Sequence, residues 1–168
     1  MKKTLIATAI AGAMAFSAHA SADAYIAGGI YDFGDSNVYL AGGGSLTPEL
    51  SLHGKFIDAG DSVLRVTGEY LMRDIDSSLS AVLGISHYDW GMFDDTGAIV
   101  GASYHLQNDD MVIPVIFRGT YDTAWDGFFG LEVGTRYFFE ENLAVEGSYK
   151  INTNGMDNEI GVGLRFTF

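Results

Sequence analysis

The sequence predicts an all-β fold, a closed antiparallel transmembrane β-barrel of ten strands in a single domain. Three observations carry it. Apolar and polar residues alternate with a period of two in segment after segment, which is strand periodicity. Charged side chains inside those segments keep to one phase. The chain is 48% hydrophobic with a positive mean hydropathy, yet no stretch outside the leader approaches the roughly 18 consecutive apolar residues of a transmembrane helix.

The clearest segment is the last, Glu159–Phe168. Ile160, Val162, Leu164, Phe166 and Phe168 share one face, and Glu159, Gly161, Gly163, Arg165 and Thr167 share the other. Its length is what a tilted strand needs to cross a bilayer, about 9–11 residues. Nine further segments precede it.

The first, Ala24–Phe33, places Tyr25, Ala27, Tyr31 and Phe33 on one phase, and a turn follows at Gly34–Asn37. The second, Val38–Leu46, is glycine-rich at Gly42–Gly44. Thr47-Pro48-Glu49 closes a tight hairpin into the third, Leu50–Ile57, and Asp58–Ser62 leads to the fourth, Val63–Met72. The fifth runs from Ser78 to Tyr88. A longer loop, Asp89–Thr96, separates it from the sixth, Gly97–Leu106. The seventh, Met111–Tyr121, contains Pro114, which removes a ladder hydrogen bond. The eighth, Phe128–Phe138, and the ninth, Leu143–Ile151, complete the set. The count is ten, or eight if segments one or two lie outside the membrane.

Six of the seven basic residues beyond residue 20 (Lys55, Arg65, Arg118, Arg136, Lys150 and Arg165) fall inside these segments, all on the polar phase with Glu69, Glu132, Glu146 and Glu159. On a lipid-facing phase each Arg or Lys near the midplane would cost about 2–4 kcal/mol. The polar phase is therefore the lumen. Connections after even segments read as short and those after odd segments as longer, which places both termini at the periplasmic end. Aromatic residues gather as two belts: Tyr88, Trp90, Tyr121, Trp125 and Phe129 at one end, and Tyr104, Tyr137 and Phe138 at the other.

Met1-Lys2-Lys3, the Ala-rich run Leu5–Phe16 and Ala18-His19-Ala20 form a secretory signal peptide, with Ala20-Ser21-Ala22 as a second cleavage site. Residues 21–168 are the barrel domain. In that domain seven basic residues face 22 acidic ones, a formal charge of about −15. Such a balance excludes nucleic acid as a partner. Cysteine is absent, so disulfides and thiolate metal sites are excluded as well.

The terminal Phe168, with Phe166 and Leu164 alternating before it, resembles the C-terminal signal that bacterial outer-membrane barrels present to their assembly machinery. With the leader, the domain resembles the small Gram-negative outer-membrane β-barrel proteins, such as outer membrane protein X, the membrane domain of outer membrane protein A, and YfaZ-type proteins. Ten strands depart from the eight of the first two. The resemblance implies an outer-membrane location, contact with lipid and lipopolysaccharide, and passage through the assembly machinery as a monomer.

The lumen charges admit two readings, a conducting path or a plug of Arg/Lys–Glu pairs; a barrel of eight strands is barely wide enough to be filled by side chains, and ten add little. The plug is the expectation, in a non-enzymatic protein with a structural or interaction role and no cofactor. A narrow porin-like channel is the alternative. A third reading is a hydrolase at the rim, with His87 and Asp89 near Asp94, Asp95, Asp122 and Asp126, although no nucleophile motif accompanies them. The same loop acids suit Ca²⁺ or Mg²⁺ but lack the spacing of a dedicated site, so no metal is expected. His53 and His105 read as hydrogen-bonded filler.

Overall fold

Alternating sequence becomes a closed sheet because the backbone pairs only with its neighbours in the wall. The computed structural model describes residues 24–33, 36–58, 62–107 and 113–168. The expected leader, the turn at 34–35, the segment 59–61 and residues 108–112 lie outside the described residues. Ten strands form: β1 (Tyr25–Phe33), β2 (Ser36–Ser45), β3 (Leu50–Asp58), β4 (Ser62–Leu71), β5 (Leu79–Asp89), β6 (Asp94–Leu106), β7 (Val115–Asp122), β8 (Phe128–Glu140), β9 (Leu143–Asn152) and β10 (Glu159–Thr167). Each pairs antiparallel with the next, and β10 returns to β1 in the register Tyr25↔Thr167 through Phe33↔Glu159. All ten segments expected from the sequence are strands of this one barrel.

Three details differ from expectation. β7 begins at Val115, so Pro114 stands just before the strand instead of inside it. Proline has no N–H to give the ladder, and its carbonyl oxygen accepts a bond from Thr135 Oγ1 at 2.9 Å. β6 begins at Asp94, because Asp94, Asp95 and Thr96 pair with Asp89, Tyr88 and His87; the long loop shrinks to residues 90–93. Connection lengths then lose their asymmetry. One end carries 34–35, 59–61, 90–93, 123–127 and 153–158, and the other carries 46–49, 72–78, 107–114 and 141–142.

The wall is inside out relative to a soluble protein. Ile30, Leu83, Ile85, Phe129, Leu131, Val162 and Leu164 are among the most exposed side chains. Buried side chains are polar nearly as often as apolar, and include Glu69, Asp122, Lys150, Glu159 and Arg165. The apolar core lies within the barrel, where Tyr31, Tyr39, Ile57, Val63, Tyr88, Ala124 and Phe128 pack together against Trp90, Trp125 and Met156. Tight curvature of so small a barrel crowds its inner face. A Cβ on the inward Gly101 would stand 2.1 Å from the Gly119 carbonyl oxygen, whereas one on the outward Gly119 would meet only Leu131 at 3.5 Å.

Candidate functional site

The barrel interior holds the polar residues, and it divides into two halves. Toward the end that carries loops 90–93 and 123–127, hydrogen bonds cross the lumen. Arg65 on β4 forks onto Glu159 on β10, Nη1 to Oε2 at 2.7 Å and Nη2 to Oε1 at 2.8 Å. Lys150 Nζ and Asn152 Nδ2 also donate to Glu159 Oε1, at 3.2 and 2.9 Å, and the Tyr31 hydroxyl donates to Oε2. From Arg65 the network continues to the Tyr88 hydroxyl at 3.3 Å. That hydroxyl donates to Asp122 Oδ2 at 3.0 Å, and Ser86 Oγ donates to Oδ1 at 2.8 Å.

Each member sits where alternation turns it inward. Glu159 opens β10, Arg65 lies mid-β4, and Tyr88 and Asp122 close β5 and β7. Outside this polar floor lies the apolar cluster. Tyr88 packs edge-on against Phe128 and Trp90, and the Trp90 and Trp125 rings stack 4.6 Å apart at 11°. Trp125, Asp126 and Gly127 take successive positive φ values of 53°, 65° and 84°. This turn is pinned by Trp125 N–H to Asp95 Oδ2 at 2.6 Å and Ala124 N–H to Asp122 Oδ1 at 3.0 Å.

The other half is hollow. A cavity of about 690 Å³ opens at the end that carries the 46–49 and 72–78 connections, with Gln107 and Pro114 also in its lining. Thr47, Glu49, Gln107, Pro114 and Phe138 line its mouth, and Tyr31, Arg65, Asp122 and Lys150 line its depth. Tyr88, Trp90, Ala124, Trp125 and Phe128, which lie beyond its depth, do not line it.

Two carboxylate centres stand on the walls of this vestibule. Glu69 accepts from Arg118 and from Ser103 Oγ at 3.0 Å, and Arg118 Nη1 lies 3.6 Å from Glu132 Oε2. His53 and His105 flank Glu69, their Nε2 atoms 4.0 and 3.6 Å from its oxygens. Glu146 accepts from the Tyr39 hydroxyl at 2.9 Å and faces Arg136 and Arg165. Lys55 has no carboxylate partner among the described residues; its Nζ rests 3.8 Å from the centre of the Tyr31 ring. Nine charges are thus joined into three clusters, Glu159 with Arg65 and Lys150, Glu69 with Arg118 and Glu132, and Glu146 with Arg136 and Arg165, while Lys55 stands over the Tyr31 ring. The roles of Tyr31, Tyr39, Ser86, Tyr88 and Asp122 were missed, although Tyr88 and Asp122 extend the lumen phases of Ser80–Ser86 and Arg118–Thr120.

Several sequence expectations change. Tyr88, Trp90 and Trp125 are not belt residues. Tyr88 points into the lumen, and the two tryptophans cap the interior cluster. An inward aromatic alternates with the same period as an outward one, so phase, not type, decides. Phe138 shares the Arg136 phase and lines the mouth. Tyr121 and Phe129, with rings 4.8 Å apart, face outward, as do Tyr104 and Tyr137. Phe166 and Phe168 meet edge to face at 5.2 Å; Leu164 precedes them on the exposed face.

The residues of the expected rim site are divided between the two faces of the wall. His87 faces outward with Nδ1 2.9 Å from Thr96 Oγ1, while Asp122 is buried on the opposite side of the wall. Among the described residues no group of three His, Asp or Glu is placed to hold a metal ion.

No protein-family model matches the chain, and no curated protein matches it in sequence. Its shape does have counterparts. The KdgM porin superposes with a TM-score of 0.58 at 10% identity, over 86% of this chain and 99% of that one. The chain has the fold of the outer-membrane β-barrels. The KdgM porin in complex with disordered oligogalacturonate gives 0.57 at the same identity and coverage. Outer membrane protein Omp33 of Acinetobacter baumannii gives 0.51 at 11% identity, over 89% of this chain and 100% of that one. At such identities the likeness extends to the fold.

Proposed function

We propose that this protein is a non-enzymatic barrel of the bacterial outer membrane whose lumen is closed, with a structural or interaction role. The observation that carries this reading is the floor across the lumen, Glu159–Arg65–Tyr88–Asp122, backed by the Tyr88, Phe128, Trp90 and Trp125 rings. Ions would have to break a buried charge pair and part a packed aromatic cluster to pass. The outward apolar face suits hydrocarbon, where an open sheet edge would leave backbone groups unpaired at several kcal/mol each.

On this reading the leader exports the chain, the Leu164, Phe166 and Phe168 terminus is read by the assembly machinery, and the barrel stands as a monomer among lipid and lipopolysaccharide with both termini in the periplasm. The vestibule then opens to the periplasm.

Planar-bilayer recording of the refolded residues 21–168 tests it. Silence is expected from a sample whose folding is confirmed by its heat-dependent mobility on SDS gels. An Arg65→Ala, Tyr88→Ala, Glu159→Ala variant should conduct. Discrete openings of the unsubstituted protein would overturn the closed reading in favour of a narrow porin, which the hollow half of the lumen and the KdgM likeness favour.

A further inference from the structure

The lumen cations are unequally served. Arg65 and Arg118 are hydrogen-bonded to Glu159 and Glu69. Arg136 and Arg165 are not bonded to any carboxylate. Both approach the same oxygen, Glu146 Oε2, from 3.9 and 4.0 Å, beyond hydrogen-bond reach. Glu146 Oε1 is already taken by the Tyr39 hydroxyl. The Nε–H groups of all four lumen arginines, Arg65, Arg118, Arg136 and Arg165, are buried and have no acceptor in the protein, so what sets Arg136 and Arg165 apart is that no hydrogen bond joins them to a carboxylate. Lys55, whose Nζ sits 3.8 Å from the centre of the Tyr31 ring, is a further lumen cation with no carboxylate in ion-pair reach among the described residues.

Position keeps these groups available to a ligand. Arg136 on β8 and Arg165 on β10 flank Glu146 on β9, and all three line the vestibule below its mouth. The central carbon of the Arg165 guanidinium lies 3.3 Å from the centre of the Tyr25 ring. That contact restrains the guanidinium beside Glu146, to which it makes no hydrogen bond. Two oriented guanidinium edges sharing one carboxylate have more donors than that carboxylate can accept. A guanidinium edge matches the two oxygens of a carboxylate or phosphate and binds them more strongly in a partly water-excluded cavity than in water.

We propose that Arg136 and Arg165 form a binding site for an oxyanion group, a carboxylate or a phosphate carried by a small solute that enters the vestibule by its open mouth. Glu146, which both arginines approach, is the internal carboxylate with which an incoming oxyanion competes. The site needs only the hollow half of the barrel, so it stands whether or not the floor conducts.

The test uses refolded residues 21–168 in non-ionic detergent, titrated with sodium phosphate and separately with sodium succinate against sodium chloride at fixed ionic strength. Arginine Nε–H resonances report binding. The expected result is a saturable shift of the Arg136 and Arg165 signals, and not of Arg65, with at least one of the two probes. Phosphate alone or succinate alone would identify which oxyanion the site takes.

Arg136→Gln and Arg165→Gln should each weaken binding by about tenfold or more, the loss expected for a charged hydrogen bond. Arg73→Gln, outside the lumen, should leave it unchanged. Glu146→Gln keeps an acceptor for Tyr39 and removes the competing charge, so it should tighten binding. No saturable shift in a sample shown to be folded, equal affinity in the double Arg136→Gln, Arg165→Gln variant, or weaker binding in Glu146→Gln would each overturn the proposal.

Discussion

Arg65 and Glu159 are joined by two hydrogen bonds of 2.7 and 2.8 Å across the inside of the barrel, although β1, β2 and β3 separate their strands along the wall. This contact is a strut between opposite staves. Glu159 is completely buried and also accepts from Tyr31, Lys150 and Asn152. Removing one partner of such a pair strands a buried charge, at about 3–5 kcal/mol. Glu159→Ala should lower the unfolding free energy in lipid vesicles by about that much, read from a urea titration. Replacing both groups with apolar residues, as in Arg65→Met with Glu159→Leu, should cost less than the single change.

Gly101 and Gly119 separate the two faces of the wall. Alanine at Gly101 places its Cβ 2.1 Å from a backbone oxygen, so β6 and β7 must part; overpacking of this kind costs about 1–3 kcal/mol. Alanine at Gly119 meets only the tip of Leu131. Gly101→Ala should therefore reduce the folded fraction on a heat-modifiability gel, while Gly119→Ala should not. Equal behaviour of the two would contradict the assignment of inward and outward phases.

Outward Leu83 tests the membrane reading. It is 64% exposed in the middle of β5. Leu83→Arg should cost about 2–4 kcal/mol in a bilayer, measured by equilibrium unfolding from vesicles. A water-facing wall would accept the same arginine at almost no cost.

The stacked Trp90 and Trp125 are the only tryptophans in the chain, so their coupling gives a clean near-ultraviolet dichroism signal. Asp95 holds the left-handed turn beneath that stack through the Trp125 N–H. Asp95→Ala should diminish the signal and cost about 1–3 kcal/mol, the penalty for orphaning a hydrogen-bonded group. A signal unchanged in the variant would mean that the turn is held by Asp122 and packing alone.

Much of this architecture is legible in the sequence because lipid enforces it. Arginine, lysine and glutamate within strands can face only inward, so alternation gave the strand set and the side each charge occupies. Pairing across the lumen is not legible. Arg65 finds Glu159 through the diameter of a closed ring, a relation that no local spacing encodes. Asp94 to Thr96 read as loop because a strand projecting beyond the apolar band needs no alternation. Tyr88, Trp90 and Trp125 were misread for a related reason. Interior caps and interfacial belts draw on the same amino acids, and near the strand ends only the phase tells them apart.

The seam between β1 and β10 ends in a bond from Phe168 N–H to the Ala24 carbonyl oxygen at 2.8 Å. The first and last described residues are thus next to each other, although the whole chain lies between them. A linker of a few residues could join them, and new ends could be opened at the 141–142 turn between β8 and β9. The permuted polypeptide would build the same ring in the order β9, β10, β1 through β8, with the terminal phenylalanine moved into the interior of the chain. Whether such a rearranged chain still reaches its membrane in cells would separate what the ring itself needs from what its delivery needs.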